Sequence, residues 1–311
     1  MGIATLLKKI NNPSTFGVIA PAFPADEKKI QSGIYNLQKD KHKIISGEAV
    51  YKKHLYFAGT DKERAADLNN MFKDKTLEAI LCARGGWGSL RLLDKIDYKL
   101  IARHPKLLIG YSDITFLQLA IWHKCAVPSL SGPMLATDFA GQPDPFTMKH
   151  FWNQIYNTND IYEYRVTEEN TEIWNPGSAE GVLVGGCLSM IVHLLGTPYS
   201  PDYADKILFI EDVGDAPYKV DRNLSQLKQA GILDSIRGLI IGRFENCEAE
   251  DNLKDQVTTK IVLQDYFSTC PYPVLYNFPY GHSTRKFTLP IGVKGRLDLN
   301  EKIVVINNIF S

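Results

Sequence analysis

The chain has 311 residues, 44% hydrophobic and 23% charged, close to an average soluble globular protein and long enough for one large domain or two ordinary ones. Its 35 Lys and Arg balance 35 Asp and Glu, so no basic excess points to nucleic acid or to an anionic membrane surface as a partner. Five scattered cysteines with no CxxC pair fit reduced thiols in a cytoplasmic protein, and the lack of CxxC and HExxH leaves a metal site without support. At the N-terminus, Lys8 and Lys9 interrupt the apolar run too early for a signal peptide, and Gly2 with Thr5 misses the myristoylation pattern. No stretch is long enough to span a bilayer.

In chain order, Phe16-Gly17-Val18-Ile19-Ala20 reads as a buried strand stopped by Pro21. Asp26 is placed to cap a helix carrying Ile30, Ile34 and Leu37 on one face. Thr60 or Asp61 caps another, with Ala65, Leu68 and Met71 at helical spacing. Glu78 to Cys82 and Lys106 to Gly110 are strands, and Asp113 to His123 is a helix. This alternation implies a parallel sheet covered by helices on both faces. From Phe139 to Pro176 the pattern breaks into Gly, Pro and Asn, with a polar run at 167–171 and helix only around Phe146 to Tyr156. A second α/β segment follows, with strands at Val182 to Val184, Ile207 to Ile210 and Leu239 to Ile241, and helices at Leu188 to Leu195 and Asn223 to Ala230. The run from Val274 to Ile309 is more β in character. The expected organisation is α/β: an N-terminal parallel-sheet domain of flavodoxin-like or Rossmann-like character over 1–140, a connection over 141–176, and a C-terminal α/β domain, richer in β near its end, over 177–311.

Four segments carry candidate chemistry. Ser112 follows an apolar strand and a glycine and precedes a helix. It either caps that helix or stands on a strand-to-helix turn as a nucleophile, where free N–H groups stabilise a developing anion. Ile114 replaces the second glycine of G-x-S-x-G. Arg84-Gly85-Gly86-Trp87-Gly88-Ser89 follows the strand ending at Cys82, where glycines let backbone N–H groups approach a ligand. A phosphate cradle is the rival reading, but neither the P-loop nor G-x-G-x-x-G is matched. Cys82 itself reads as a buried, inert thiol. Glu211 ends an apolar strand and either orients a histidine or belongs to a solvated loop or cap. His282 follows Gly281 in a turn-rich segment, where many histidines are idle. Together they present serine, carboxylate and histidine, each after an apolar segment, beside a glycine-rich turn. That combination fits acyl transfer.

Several blocks in this order resemble one family: Arg84 to Gly88, Gly110-Tyr111-Ser112-Asp113-Ile114-Thr115, Gly185-Gly186-Cys187-Leu188 through Pro198, Leu208 to Val213, Tyr218 to Arg222, and Gly281-His282 through Gly292. The chain resembles the LD-carboxypeptidases, serine peptidases that include murein tetrapeptide carboxypeptidases and microcin C immunity peptidases. The resemblance implies two α/β domains with the active site between them, a homodimer, and no cofactor or metal. It implies Ser112 as nucleophile, His282 as base, Glu211 as the acid, and backbone N–H groups of Gly86 and Asp113 as the oxyanion hole. Cys187 stands where many members have Asn, and Trp87 where Tyr is frequent, so both are candidate pocket residues. Arg84 and Arg222 are candidates to clamp a substrate carboxylate, or else surface or interdomain salt-bridge residues. The expected substrate is a small muropeptide that loses its terminal D-alanine in wall recycling. The alternatives are a microcin-type peptidyl–nucleotide conjugate, or a non-catalytic peptide- or sugar-binding role.

Overall fold

The computed structural model of the protein describes residues 7–168, 170–249 and 257–310. The Gly2 and Thr5 positions weighed for lipidation, and Glu169 of the polar run, lie outside the described residues.

The first half alternates as its periodicity implies: β1 (Thr15–Ile19), α1 (Glu27–Lys39), β2 (Lys43–Ser46), α2 (Asp61–Lys73), β3 (Ala79–Cys82), α3 (Tyr98–Arg103), β4 (Leu107–Gly110), α4 (Thr115–Cys125) and β5 (Ser129–Ser131). The caps fall where the side chains demand. Asp26 accepts from the Lys29 N–H, and Thr60 forms a reciprocal capping box with Glu63. Strands β3 and β4 are buried along their whole length, as continuous apolar runs in a parallel sheet should be.

The crossing holds α5 (Pro145–Tyr156), capped by Asp144, and then β6 (Ile161–Arg165) and β7 (Glu172–Asn175). The second half continues with β8 (Ser178–Cys187), α6 (Leu188–Leu194), β9 (Lys206–Val213), α7 (Pro217–Gln229), α8 (Ile232–Ser235), β10 (Gly238–Glu245), α9 (Thr259–Phe267), β11 (Val274–Tyr276), β12 (Leu289–Ile291), β13 (Val293–Asp298) and β14 (Ile303–Asn307). Helix α7 starts six residues earlier than the apolar pattern implies, because Pro217 is pre-set for the first helical turn.

Two sheets result. One runs β12-β5-β4-β3-β1-β2 and the other β6-β14-β13-β8-β9-β10-β11-β7. Neither is purely parallel. In the first, β1 to β5 are parallel but β12 joins antiparallel to β5. In the second, β8 to β11 are parallel and both flanks are antiparallel. The crossing is thus more structured than its composition implies, since β6 and β7 form the two outer edges of the second sheet. Edge strands bury little, and only Tyr164 of these nine residues is buried, so no apolar alternation marked them.

Helix α4 is buried from Thr115 to Trp122 and packs against β8 and α6, so it lies between the two halves. One contiguous apolar cluster runs through both. Among the described residues no helix is long and apolar enough to cross a membrane.

Candidate active site

Strand β4 delivers the chain through Gly110 and an extended Tyr111 to Ser112, which adopts φ +65°. A non-glycine residue in this left-handed region carries strain of order 1–3 kcal/mol, and such strain clusters at functional turns. Ser112 opens a short 3₁₀ turn, Ser112–Ile114, that runs on into α4. Its hydroxyl caps nothing. Tyr111 holds the cap position without a side-chain cap bond, and Ser112 Oγ lies 2.9 Å from His282 Nε2 instead. The turn fits only because Gly85 faces it: a Cβ there would stand 2.8 Å from Ser112 Cβ and 3.0 Å from Oγ.

Glu211 sits near the end of β9, in register with Cys187 of β8, and is fully buried. Its Oε2 lies 2.7 Å from His282 Nδ1. An ionised carboxylate only accepts, so Nδ1 carries the proton and Nε2 is left to accept the serine hydroxyl. Gly281, at φ +125°, lets the chain pass this carboxylate; a Cβ there would come within 2.8 Å of Oε2. The preceding Tyr280 is fixed by a 2.7 Å hydroxyl bond to Ser131 of β5. Burial pushes the His282 pKa down, but the charge of Glu211 and its hydrogen bond outweigh this and leave it raised; Lys286 opposes and Asp212 assists. Serine, imidazole and carboxylate therefore form one hydrogen-bonded chain, able to draw a proton from Oγ and hold the imidazolium.

The glycine-rich turn is stitched to the serine turn. Ser89 N–H donates to Asp113 Oδ2 at 2.8 Å, and Ser89 Oγ to the Asp113 carbonyl at 2.5 Å. The buried Arg64 guanidinium donates to the carbonyls of Pro21 and Gly88 and holds the turn from behind. Burial pushes the Asp113 carboxyl up to about 6 against the bonds from Ser89 and Gly88. Gly86, at φ +115°, is exposed and rests on Phe23.

The remaining candidates divide. Arg84 lies beside the same turn, 5.8 Å from the Phe23 ring centre, with a 3.4 Å bond to the Pro24 carbonyl and no ion pair among the described residues. Trp87 is half-buried and meets Phe116 of α4 edge to face. Cys187 is buried; its thiol reaches Ser189 Oγ and Asp212 Oδ1, and burial pushes its pKa well up. Arg222 is exposed on α7, and no hydrogen bond or ion pair among the described residues links it to the serine turn. Sequence reasoning named Gly85 and Tyr111 only as parts of their motifs, with no role of their own, and gave none to Asp138 and Lys286. The last three join in a buried cluster beside His282 and line a cavity of about 140 Å³ with it. Nothing local marks them, because Asp138 and Lys286 are 148 positions apart. Among the described residues no group of His, Cys, Asp or Glu is arranged to hold a metal ion.

Such a serine–histidine–carboxylate chain, in an α/β fold of two mixed sheets, is the arrangement that serine hydrolases use, and the family models show which class of them this chain joins. The LD-carboxypeptidase N-terminal domain matches residues 16–132 and the C-terminal domain residues 180–297, so this chain belongs to the LD-carboxypeptidase family. It is 41% identical over 303 residues to the probable murein peptide carboxypeptidase of Bacillus subtilis (strain 168), covering 96% of this chain and 93% of that one. Among solved structures it matches a muramoyltetrapeptide carboxypeptidase from Oxalobacter formigenes with a TM-score of 0.86, at 30% identity, over 96% of this chain and 100% of that one. It also matches MccF in complex with glutamyl sulfamoyl guanosine, with a TM-score of 0.92, at 27% identity, over 98% and 99%.

Proposed function

We propose that the protein is a serine carboxypeptidase that cleaves an L,D peptide bond and releases the terminal D-alanine of murein tetrapeptides. The observation that carries this is the Ser112–His282–Glu211 chain, at 2.9 and 2.7 Å, with the serine on a left-handed turn after a strand. His282 Nε2 takes the proton from Ser112 Oγ as the oxygen attacks the carbonyl carbon. Glu211 keeps the imidazole in the required tautomer and stabilises the imidazolium. The N–H groups of Gly86 and Asp113 hold the oxyanion, a role in which one lost donor costs roughly a hundredfold to a thousandfold in rate. The imidazolium then protonates the leaving amine, and water attacks the acyl-enzyme by the same base. Arg84, beside the glycine turn and with no ion pair among the described residues, is the favoured clamp for the substrate's free carboxylate over Arg222 on α7. Five free thiols fit a cytoplasmic setting, and the family resemblance supports a homodimer, which sedimentation analysis checks directly.

A second reading draws on the likeness to MccF: the scissile bond is then the amide or acyl-sulfamoyl linkage of an aminoacyl–nucleotide conjugate. Purified protein is offered a murein tetrapeptide and glutamyl sulfamoyl guanosine side by side, with Ser112→Ala as control. Release of D-alanine that disappears in the variant supports the first reading. Cleavage of the conjugate alone supports the second, and equal rates for wild type and variant sink both.

A further inference from the structure

The segment that carries His282 also buries a lysine that the proposed chemistry does not use. Lys286 is 3% exposed. Its Nζ donates to Asp138 Oδ1 at 2.5 Å and to the Tyr111 hydroxyl at 2.9 Å, and lies 4.2 Å from the centre of the Tyr111 ring. The Tyr111 ring in turn meets the His282 ring edge to face, with centroids 5.1 Å apart. Behind Lys286 its backbone is fixed as well: its N–H donates to Thr147 Oγ1, whose hydroxyl donates to the Thr284 carbonyl. One ammonium thus ties together the residue before the serine, the segment after the histidine, and the chain after β5. A buried ion pair is a poor device for stability alone, since desolvation takes back most of the Coulomb attraction. Its position against the imidazole gives it a different use.

We propose that Lys286 is a positioning residue for His282: clamped by Asp138, its ammonium seats Tyr111 against the imidazole and sets a fixed positive charge behind it. The proposal rests on His282 being the base of the reaction above. The groups around His282 are Glu211 and, at longer range, Asp212 from β9, Ser112 from its turn, Tyr111 from the end of β4, Lys286 from its own segment, and, across the cavity they share, Asp138 paired with Lys286 and Asp144 at the start of α5. The acids favour the imidazolium, Asp138 while also holding Lys286 in place, and Lys286 is the one cation among these groups. With that charge in place, more of the imidazole is free to accept a proton near neutral pH. The Tyr111 ring meanwhile keeps the imidazole from swinging out of line with Oγ.

The test compares wild type with Lys286→Met and Lys286→Gln, which remove the charge, and Lys286→Arg, which keeps it. Two readouts are taken: the His282 titration followed by NMR on histidine-labelled protein, assigned with a His282→Gln variant, and the pH profile of kcat/KM on the tetrapeptide. Either neutral variant should raise the His282 titration, and with it the acid limb, by about half a pH unit to one unit, the size expected for one unit charge removed at this range. The arginine variant should bring both back toward wild type. Gln retains polar contact with Asp138, so one neutral variant remains to be read if the other does not fold. A folded neutral variant whose His282 titrates as in wild type overturns the proposal. If the titration moves but the tetrapeptide is never cleaved, the positioning role stands and the functional reading falls.

Discussion

Replacing Glu211 by Gln tests the site with almost no change of shape. Glu211 is fully buried; Oε2 lies 2.7 Å from His282 Nδ1, and Oε1 has no hydrogen-bond partner among the described residues. A glutamine can sit there in two ways. With its oxygen toward Nδ1 it places an NH₂ group where Oε1 now stands, and an unmet buried donor costs about 1–3 kcal/mol. With its nitrogen toward Nδ1, the amide oxygen merely takes the place of an oxygen already unpaired. The second orientation is therefore favoured. It makes Nδ1 an acceptor, moves the imidazole proton to Nε2, and points an N–H at Ser112 Oγ, which is the wrong tautomer for a base. The matching carboxylate-to-amide change in a serine triad lowers kcat by about 10⁴-fold. That corresponds to about 5 kcal/mol of transition-state stabilisation. Loss of the carboxylate charge also removes the main influence raising the His282 pKa, while burial and Lys286 still lower it. The expected result is a folded enzyme with about 10⁴-fold lower kcat on the tetrapeptide, and a His282 NMR titration that moves down from wild type. A variant within tenfold of wild type, or one whose titration moves up, would refute the reasoning.

Gly281→Ala should lower kcat by at least about a hundredfold, the typical result of a misplacement of roughly 1 Å, and should also lower Tm. Its Cβ would meet Glu211 Oε2 at 2.8 Å on a backbone at φ +125°, so steady-state kinetics and thermal melting should both register it. The raised His282 pKa makes activity and stability move oppositely with pH. The base is freed, and kcat/KM rises, as pH climbs through the folded-state pKa above 6.5; the stability that the imidazolium contributes is complete below about 6.5 and is lost over the same range. Denaturant titrations should accordingly show the stability gap between wild type and His282→Gln narrowing as pH rises. Arg84→Met should raise KM for the tetrapeptide about 10- to 100-fold, as expected for one charge-assisted contact, whereas Arg222→Met should leave it near wild type. The reverse pattern would move the carboxylate clamp to α7.

The elements legible in the sequence were those with strong local signals. Asp26 and Thr60 announced α1 and α2 by cap chemistry, and the apolar runs at β3, β4 and β9 could hardly be anything but buried strands. Strands β6 and β7 were missed because each lies at a sheet edge, where partly exposed residues carry no alternation. The same divide runs through the site. Ser112, Glu211 and His282 each follow an apolar or glycine-marked segment, so chain order and turn chemistry singled them out. The Lys286–Asp138–Tyr111 cluster gave no such signal, because a lysine, an aspartate and a tyrosine acquire meaning only through a meeting across 175 positions. Ser112 shows the limit of local rules from the other side. Read alone, its position favours a helix cap, and only the φ of +65° and the imidazole opposite speak for the other reading.

Strand β12 has a consequence for how the protein is made. It emerges a few residues after His282 and returns to the first sheet, pairing with β5, before the chain re-enters the second sheet as β13. The histidine segment is thereby stapled to both sheets at once. During synthesis, Ser112 and Glu211 leave the ribosome long before this staple can close. Until β12 has emerged, β5 is an open edge of the first sheet, and the histidine segment is not yet pinned beside it. On the proposed mechanism, a chain cut before His282 lacks the base that faces Ser112 and should be inert towards the tetrapeptide.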